Sequence, residues 1–447
     1  PSSRGSLDNE PDAADAGAMR APKGRLRRVL VATTGYAVIA GITVALLLSI
    51  EAGARLYAYV LGNPADARYG FSTAREWRDP GISSPRFHAL VSDRYADFGN
   101  YYAYAGFPDP ERIPWTDEPV HINRFGLRGP DFEIAKKPGT FRLVTMGESS
   151  TFGFMVDDGQ TYPMRLQEIF DRRLGDGQVE VINAGLPYYT TEDMSILLQQ
   201  LVADMSPDLV TFYIGYNDST WLTRFLLEQR MRQNAGGFRA AAIDARIFLV
   251  QHSLVASKAA RWVDARLRPF VITDQAFSPL AGQEARELLA TVVDEFSRRV
   301  LALHRQACSL GIDHAFATEL HAPLNMWDGT MQPGDDPFDF LVPEAREGDY
   351  YNYAATLSAK LDGAGFDLPV EVFWFAQYRV NEWLLDQETL HPLDFVRRAD
   401  GDWNLLSTLI HLNAQGNEAL AGFLADSLQG AIAARDTTTI RASCTGS

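Results

Sequence analysis

Three short apolar runs, each closing on a glycine-containing turn, set the architecture of this chain. Phe141-Arg142-Leu143-Val144-Thr145-Met146 ends in Gly147. Val179-Glu180-Val181-Ile182 ends in Asn183-Ala184-Gly185, and Leu209 to Ile214 ends in Gly215-Tyr216-Asn217-Asp218. Runs this apolar and this rich in β-branched residues are expected as buried parallel strands. Helix-period segments separate them. Tyr162, Leu166, Ile169 and Phe170 share one face, with Pro163 suited to a first turn. Met194, Leu197, Leu198, Leu201 and Val202 share another, and Ser206-Pro207-Asp208 ends that segment. Strand, helix, strand, helix, strand with short links predicts an α/β fold: a doubly wound parallel sheet with right-handed crossovers and helices on both faces. Further on, Glu284 to Leu310 reads as a long helix, His314 to Thr318 as a strand, and Ala414 to Ala434 as the last strong helix, with Asn413 as its N-cap.

In an open sheet of this kind, ligands bind beyond the carboxyl ends of the strands. Those ends deliver Ser149, Gly185 and Asn217 to one edge. The types suit acyl transfer: a hydroxyl to attack a carbonyl carbon, a glycine whose N–H can approach substrate, and an amide donor. A base is then needed, and His411 stands just before the final helix. Read alone, each residue has a plainer role: Ser149 a helix cap, Gly185 and Asn217 turn residues, His411 a structural imidazole. Glu148 adjoins Ser149 and reads as a loop-fixing acceptor, and His314 and His321 read as structural. The pairs Asp157-Asp158 and Asp335-Asp336 read as solvated loop acids.

Taken together these residues resemble the SGNH/GDSL hydrolases. Gly147-Glu148-Ser149-Ser150-Thr151-Phe152-Gly153 resembles the first block of that family, with Glu where Asp is commoner. Asn183-Ala184-Gly185, Gly215-Tyr216-Asn217-Asp218 and His411-Leu412-Asn413-x-x-Gly416 are similar to the second, third and last. Asn123-Arg124-Phe125-Gly126-Leu127-Arg128-Gly129 is similar to the segment leading into the domain in membrane-tethered bacterial members. The resemblance covers about 121–219 and 400–433 and implies a three-layer, flavodoxin-like fold. It implies Ser149 as nucleophile, His411 as general base, and an oxyanion hole from the Ser149 and Gly185 N–H groups and the Asn217 side chain. The reaction would run through an acyl-enzyme. One position departs: three residues before His411, where the family usually has Asp, stands Thr408. Asp394, Asp400 and Asp402 are the candidates to supply the missing acid from a nearby loop.

Upstream, Val29 to Ile50 is 22 residues without a charge, preceded by Lys23, Arg25, Arg27 and Arg28 and followed by Glu51 and Arg55. A helix of that length spans roughly 33 Å, against about 30 Å of hydrocarbon. The expectation is a single-pass signal anchor in the inner (plasma) membrane, its basic side in the cytoplasm and the main domain periplasmic. A signal peptide cleaved near Ser49 to Ala54 is the alternative. The predicted organisation is then a disordered tail at 1–24, the anchor at 25–52, and an irregular aromatic-rich extension at 53–138. The hydrolase-like domain follows at 139–435, with loop insertions at about 220–275 and 323–385, and then a flexible tail at 436–447.

Fifty-seven acidic residues against 41 basic ones give a net charge of −16 in 447 residues, which argues against nucleic acid as a partner. Of the two cysteines, Cys308 reads most simply as a small buried apolar side chain and Cys444 lies in a polar tail. A disulfide between them is an option only outside the cytoplasm. No Cys/His spacing suggests zinc, and neither metal nor cofactor is expected. Function is expected to be ester hydrolysis on acyl groups, O-acetyl among them, of an envelope carbohydrate or lipid. O-acyl transfer on the same site, and an inactive membrane-tethered binding or assembly subunit, are the alternatives.

Overall fold

The computed structural model describes residues 38–54, 120–187, 189–235, 279–323 and 349–444, with a few isolated positions besides. The chain divides into two compact units, Pro1–Ala54 and Arg55–Ser447. In the first, residues 38–54 are helical and carry exposed Ile39, Ile42, Leu46, Leu47 and Leu48. Among the described residues no helix is long and apolar enough to cross a membrane. Residues 29–35 of the uncharged run lie outside the described residues.

Among the described residues the second unit is built on four parallel strands: β1 (Phe141–Gly147), β2 (Val179–Gly185), β3 (Leu209–Tyr213) and β4 (His314–Ala317), in the order β2-β1-β3-β4. Every residue of β1, β3 and β4 is buried, as expected of strands covered on both faces. Gly147 faces both Gly185 and Tyr213 in register, so the three strand ends finish level. Strand order reverses at β1, and the crevice at that switch point is where ligands of such sheets bind.

The helices follow in chain order: α1 (Ser149–Phe152), α2 (Tyr162–Leu174), α3 (Thr191–Leu197), α4 (Tyr216–Ala235), α5 (Gly282–Ser309), α6 (Tyr350–Asp362), α7 (Pro369–Leu385), α8 (Phe395–Arg398) and α9 (Ala414–Ala434). α2 buries Tyr162, Leu166, Ile169 and Phe170 and packs with α9. α3 packs with α5, and α5 with α4 and α7. Right-handed crossovers place α2 and α3 on opposite faces of the sheet. α3 begins with a Thr190–Asp193 capping box. α9 begins with Asn413 Oδ1 accepting from the Gly416 N–H at 2.9 Å.

The structure corrects three expectations about the fold. The stretch 323–385 is no simple loop, since its second part holds α6 and α7. Likewise 220–235 continues α4. Cys308 is not a free buried thiol: it is bonded to Cys444, with a Cα–Cα distance of 5.5 Å, so the tail is stitched to the end of α5. Of the aromatic extension, only 120–138 lies in the described residues, and the Tyr101 to Pro108 run falls outside them.

Candidate active site

Ser149 stands one residue beyond β1, after Glu148, and opens α1. The first N–H groups of a helix have no partner within it, so backbone donors gather around this hydroxyl. Small size is needed next to it. A Cβ on Gly147 would fall 2.0 Å from Thr151 Oγ1 and 2.7 Å from the Tyr213 carbonyl, so only glycine lets α1 fold back on β1 and β3.

Arg128, from the segment 123–129 that leads into the domain, fixes the loop after α1. Its buried guanidinium donates to the carbonyls of Phe152, Gly153 and Val156 and to Asp158 at 2.7 Å. Asp158 also accepts from the His121 N–H, so this acid serves the loop rather than a cation. Asp335 and Asp336 lie outside the described residues.

His411 reaches the same point from 262 residues away. Its Nε2 lies 2.8 Å from Ser149 Oγ, and the Phe154 ring packs against it at a tilt, with centroids 4.9 Å apart. The segment carrying it is tied down on several sides. Ser150 Oγ donates to the Ile410 carbonyl, the Ala322 N–H to the Leu409 carbonyl, and the Asn417 amide to the Leu412 carbonyl. Asn417 Oδ1 in turn accepts from the Tyr162 N–H, coupling this segment to the start of α2.

On the far side of the ring, Nδ1 meets Thr408 Oγ1 at 2.8 Å. That oxygen also accepts from the His411 N–H at 3.1 Å. None of the three acids expected as alternatives takes this place. Asp394 accepts from the Arg397 N–H and Thr318, and Asp402 from the Asn404 N–H and side-chain amide. Asp400 sits at a turn with φ +50°. Among the described residues no carboxylate hydrogen-bonds to His411. With no anion beside it, burial pushes its pKa down to about 3.

Asn217 lies at the start of α4, 6% exposed, its Nδ2 donating to the Tyr189 carbonyl at 2.9 Å. An amide nitrogen carries two hydrogens, so one remains for a ligand. Gly185 differs from expectation. Its N–H donates to Asn183 Oδ1 at 2.9 Å, because the side chain two residues back folds over it, and it is not a free oxyanion donor. The glycine is there for packing: a Cβ would lie 2.3 Å from the Phe152 nitrogen.

Beneath the site lie carboxyls of which the sequence marks only one. Glu148 is fully buried and accepts from the Asn217 N–H at 2.9 Å and the Gly215 N–H at 3.5 Å, the loop-fixing role expected of it. Glu319, two residues past β4, accepts from the Tyr216 N–H at 2.8 Å and has no counterpart among the expected site residues. Both cap the amino end of α4. Burial, and then the neighbouring Glu319 and Asp218, hold Glu148 well above the usual carboxyl range. Burial first pushes Glu319 up to about 8. Asp218 accepts from the Thr191 N–H and hydroxyl and pairs with Arg299 at 3.3 Å, locking α3, α4 and α5 together. His321 Nε2 lies 3.1 Å from the Trp374 carbonyl, and this imidazole is structural as expected.

A parallel α/β sheet with a serine–imidazole contact at its switch point defines the class: an α/β domain with a hydrolase-like serine–histidine pair. The sequence comparisons narrow it. Residues 145–338 match the model of the GDSL-like lipase/acylhydrolase family. A search of the curated proteins finds no match. Solved structures aligned with the chain include an acetyl xylan esterase, at 13% identity and TM-score 0.33, covering 64% of this chain and 100% of that one. Another is a G-D-S-L family lipolytic protein from Desulfitobacterium hafniense DCB-2, at 14% and 0.32, covering 64% and 99%. A third is an acetylxylan esterase from Geobacillus stearothermophilus, at 12% and 0.32, covering 64% and 94%.

Proposed function

We propose that this protein hydrolyses acyl esters through Ser149, with His411 as its base. The observation that carries the reading is the 2.8 Å contact between His411 Nε2 and Ser149 Oγ, made from opposite ends of the domain. In the first step the Ser149 oxygen bonds the ester carbonyl carbon while its proton passes to Nε2. The tetrahedral oxyanion lies against the N–H groups that open α1 and the second amide hydrogen of Asn217. Collapse expels the alcohol, which takes the proton from Nε2. Water then repeats the cycle on the acyl-enzyme and frees the acid. For this, Nδ1 must carry the other ring hydrogen and donate it to Thr408 Oγ1.

The basic cluster before the uncharged run supports an N-terminal anchor with the domain outside the cytoplasm. The Cys308–Cys444 bond supports the same compartment, since disulfides persist in oxidising surroundings. The substrate class proposed is an acylated envelope carbohydrate or lipid, O-acetyl esters first among them. The test is labelling of the purified chain by a fluorophosphonate, with Ser149→Ala as control. Labelling lost in the variant supports the reading, and a folded chain that does not label overturns it.

The hydroxyl at His411 Nδ1 favours a second reading, a tethered binding subunit on a hydrolase scaffold. A chain that neither labels nor turns over aryl acetate, yet retains an acylated glycan on an affinity column, would establish it.

A further inference from the structure

A second group of chemistry-bearing side chains lies at the amino end of β4, the edge of the sheet away from Ser149. His304 and Cys308 stand four apart on α5 and therefore share a face. His314 opens β4 beside them, and Cys444 arrives from the tail. His304 Nδ1 lies 2.9 Å from His314 Nε2, and Cys308 Sγ lies 3.8 Å from His304 Nδ1. The donor atoms of His304, Cys308 and His314 all fall within 4.8 Å of one another. His304 and His314 are buried, at 5% and 0% exposure.

We propose that His304, Cys308, His314 and Cys444 form a zinc site, closed while the disulfide is intact and opened when a thiol reductant cleaves it. Two thiolates and two imidazoles are a donor set of structural zinc. A tetrahedral ion with Zn–N near 2.1 Å sets its nitrogens roughly 3.4 Å apart. The imidazoles are about half an ångström inside that spacing, and the sulfur is close to it. The outer contacts fit as well. His314 Nδ1 faces the Ile312 carbonyl at 2.9 Å, so that nitrogen carries the hydrogen and Nε2 presents its lone pair to the cluster. A carbonyl holding the far nitrogen of a ligating histidine is the usual second partner at zinc. The 2.9 Å contact between the rings has room for one hydrogen, on His304 Nδ1, and that hydrogen moves to Nε2 when metal enters.

The chemistry balances. Cys444 is exposed, so one thiolate of a small dithiol attacks its sulfur and Cys308 leaves as thiolate. The second reductant thiol releases Cys444, and the reductant departs as its disulfide. Zn²⁺ then replaces the two thiol protons, which go to solvent. Either linkage, the disulfide or the metal, ties the tail to α5 and β4.

The experiment uses the full chain with and without a phosphine reductant, equilibrated with Zn²⁺ alone and read by metal content per chain and by thermal unfolding. Expected is one zinc per reduced chain and none per oxidised chain, with zinc raising the melting temperature of the reduced form only. Co²⁺ should give thiolate-to-metal charge transfer and the visible bands of a tetrahedral ion. His304→Gln, with its disulfide still able to form, should weaken uptake at least tenfold after reduction. The Cys308→Ser/Cys444→Ser variant should take up none. Equal uptake by oxidised and reduced chains, uptake retained in the double variant, or a reduced chain that zinc neither binds nor stabilises would each overturn the site.

Discussion

At Thr408 a single oxygen decides the competence of the base. A carboxylate can only accept, so it would force the Nδ1 hydrogen onto the ring and leave Nε2 free to take the serine proton. A threonine hydroxyl donates as readily as it accepts, and so leaves both ring tautomers open at the 2.8 Å contact. It also leaves the imidazolium without a counter-charge, which is why burial alone sets the His411 pKa near 3. A base works in its neutral form, above its pKa, so the acid limb of kcat/KM on an aryl acetate should lie far below the ordinary imidazole value of about 6.5. Thr408→Asp should raise the rate by between about tenfold and 10⁴-fold, the upper end being the effect of neutralising the acid of a serine protease triad. The same variant should move the acid limb upward. A pH–rate profile of the two proteins checks both, and an unchanged limb would show that Thr408 does not orient the ring.

Among elements, the four strands and the helices α2, α3, α5 and α9 are legible in the sequence because their apolar spacing repeats at the period of the structure they form. α7 is not. Val370, Val372, Phe373, Trp374, Phe375 and Ala376 are all buried, so its first half is apolar around most of its circumference, and the partly exposed pair Arg379 and Glu382 comes only in the second half. The serine, histidine and asparagine of the site can be found because each sits at the end of a recognisable strand or before a recognisable helix. Glu319 cannot, since a lone acid after β4 gains its meaning only when α4 is seen to begin above it. Gly185 departs from its expected role because the sequence names the residue type and not the acceptor its N–H has already found. Arg128 belongs to this scale too. It joins a short N-terminal segment to the loop after α1 through four partners, and its side chain is 1% exposed. Arg128→Met should cost more than about 2 kcal/mol in urea unfolding, since buried carbonyls and Asp158 are left without their charged donor. It should also lower turnover by loosening α1.

For the whole molecule, the two acids under α4 set a dependence on pH opposite to the common carboxylate case. Glu319 titrates near 8 when folded against 4.5 as its ordinary value. Between those values the folded chain holds a proton that the unfolded chain has released, so stability falls as pH rises from about 4.5 to 8. Glu319→Gln keeps an acceptor for the Tyr216 N–H and removes the ionisation. Its melting temperature should therefore exceed that of the parent at about pH 8 and approach it at about pH 4.5. Parallel thermal scans at the two values check this.

The same scale governs the free margin of β4. Leu393 donates to the Phe316 carbonyl and accepts from the Thr318 N–H, and Ala442 donates to the His314 carbonyl. One short segment and the stitched tail thus occupy hydrogen-bonding groups that a foreign strand would seek. Cutting the Cys308–Cys444 bond frees the tail to leave that margin, and a chain so treated should self-associate through strand addition. Light scattering should rise after reduction in the absence of metal and stay flat in the intact chain.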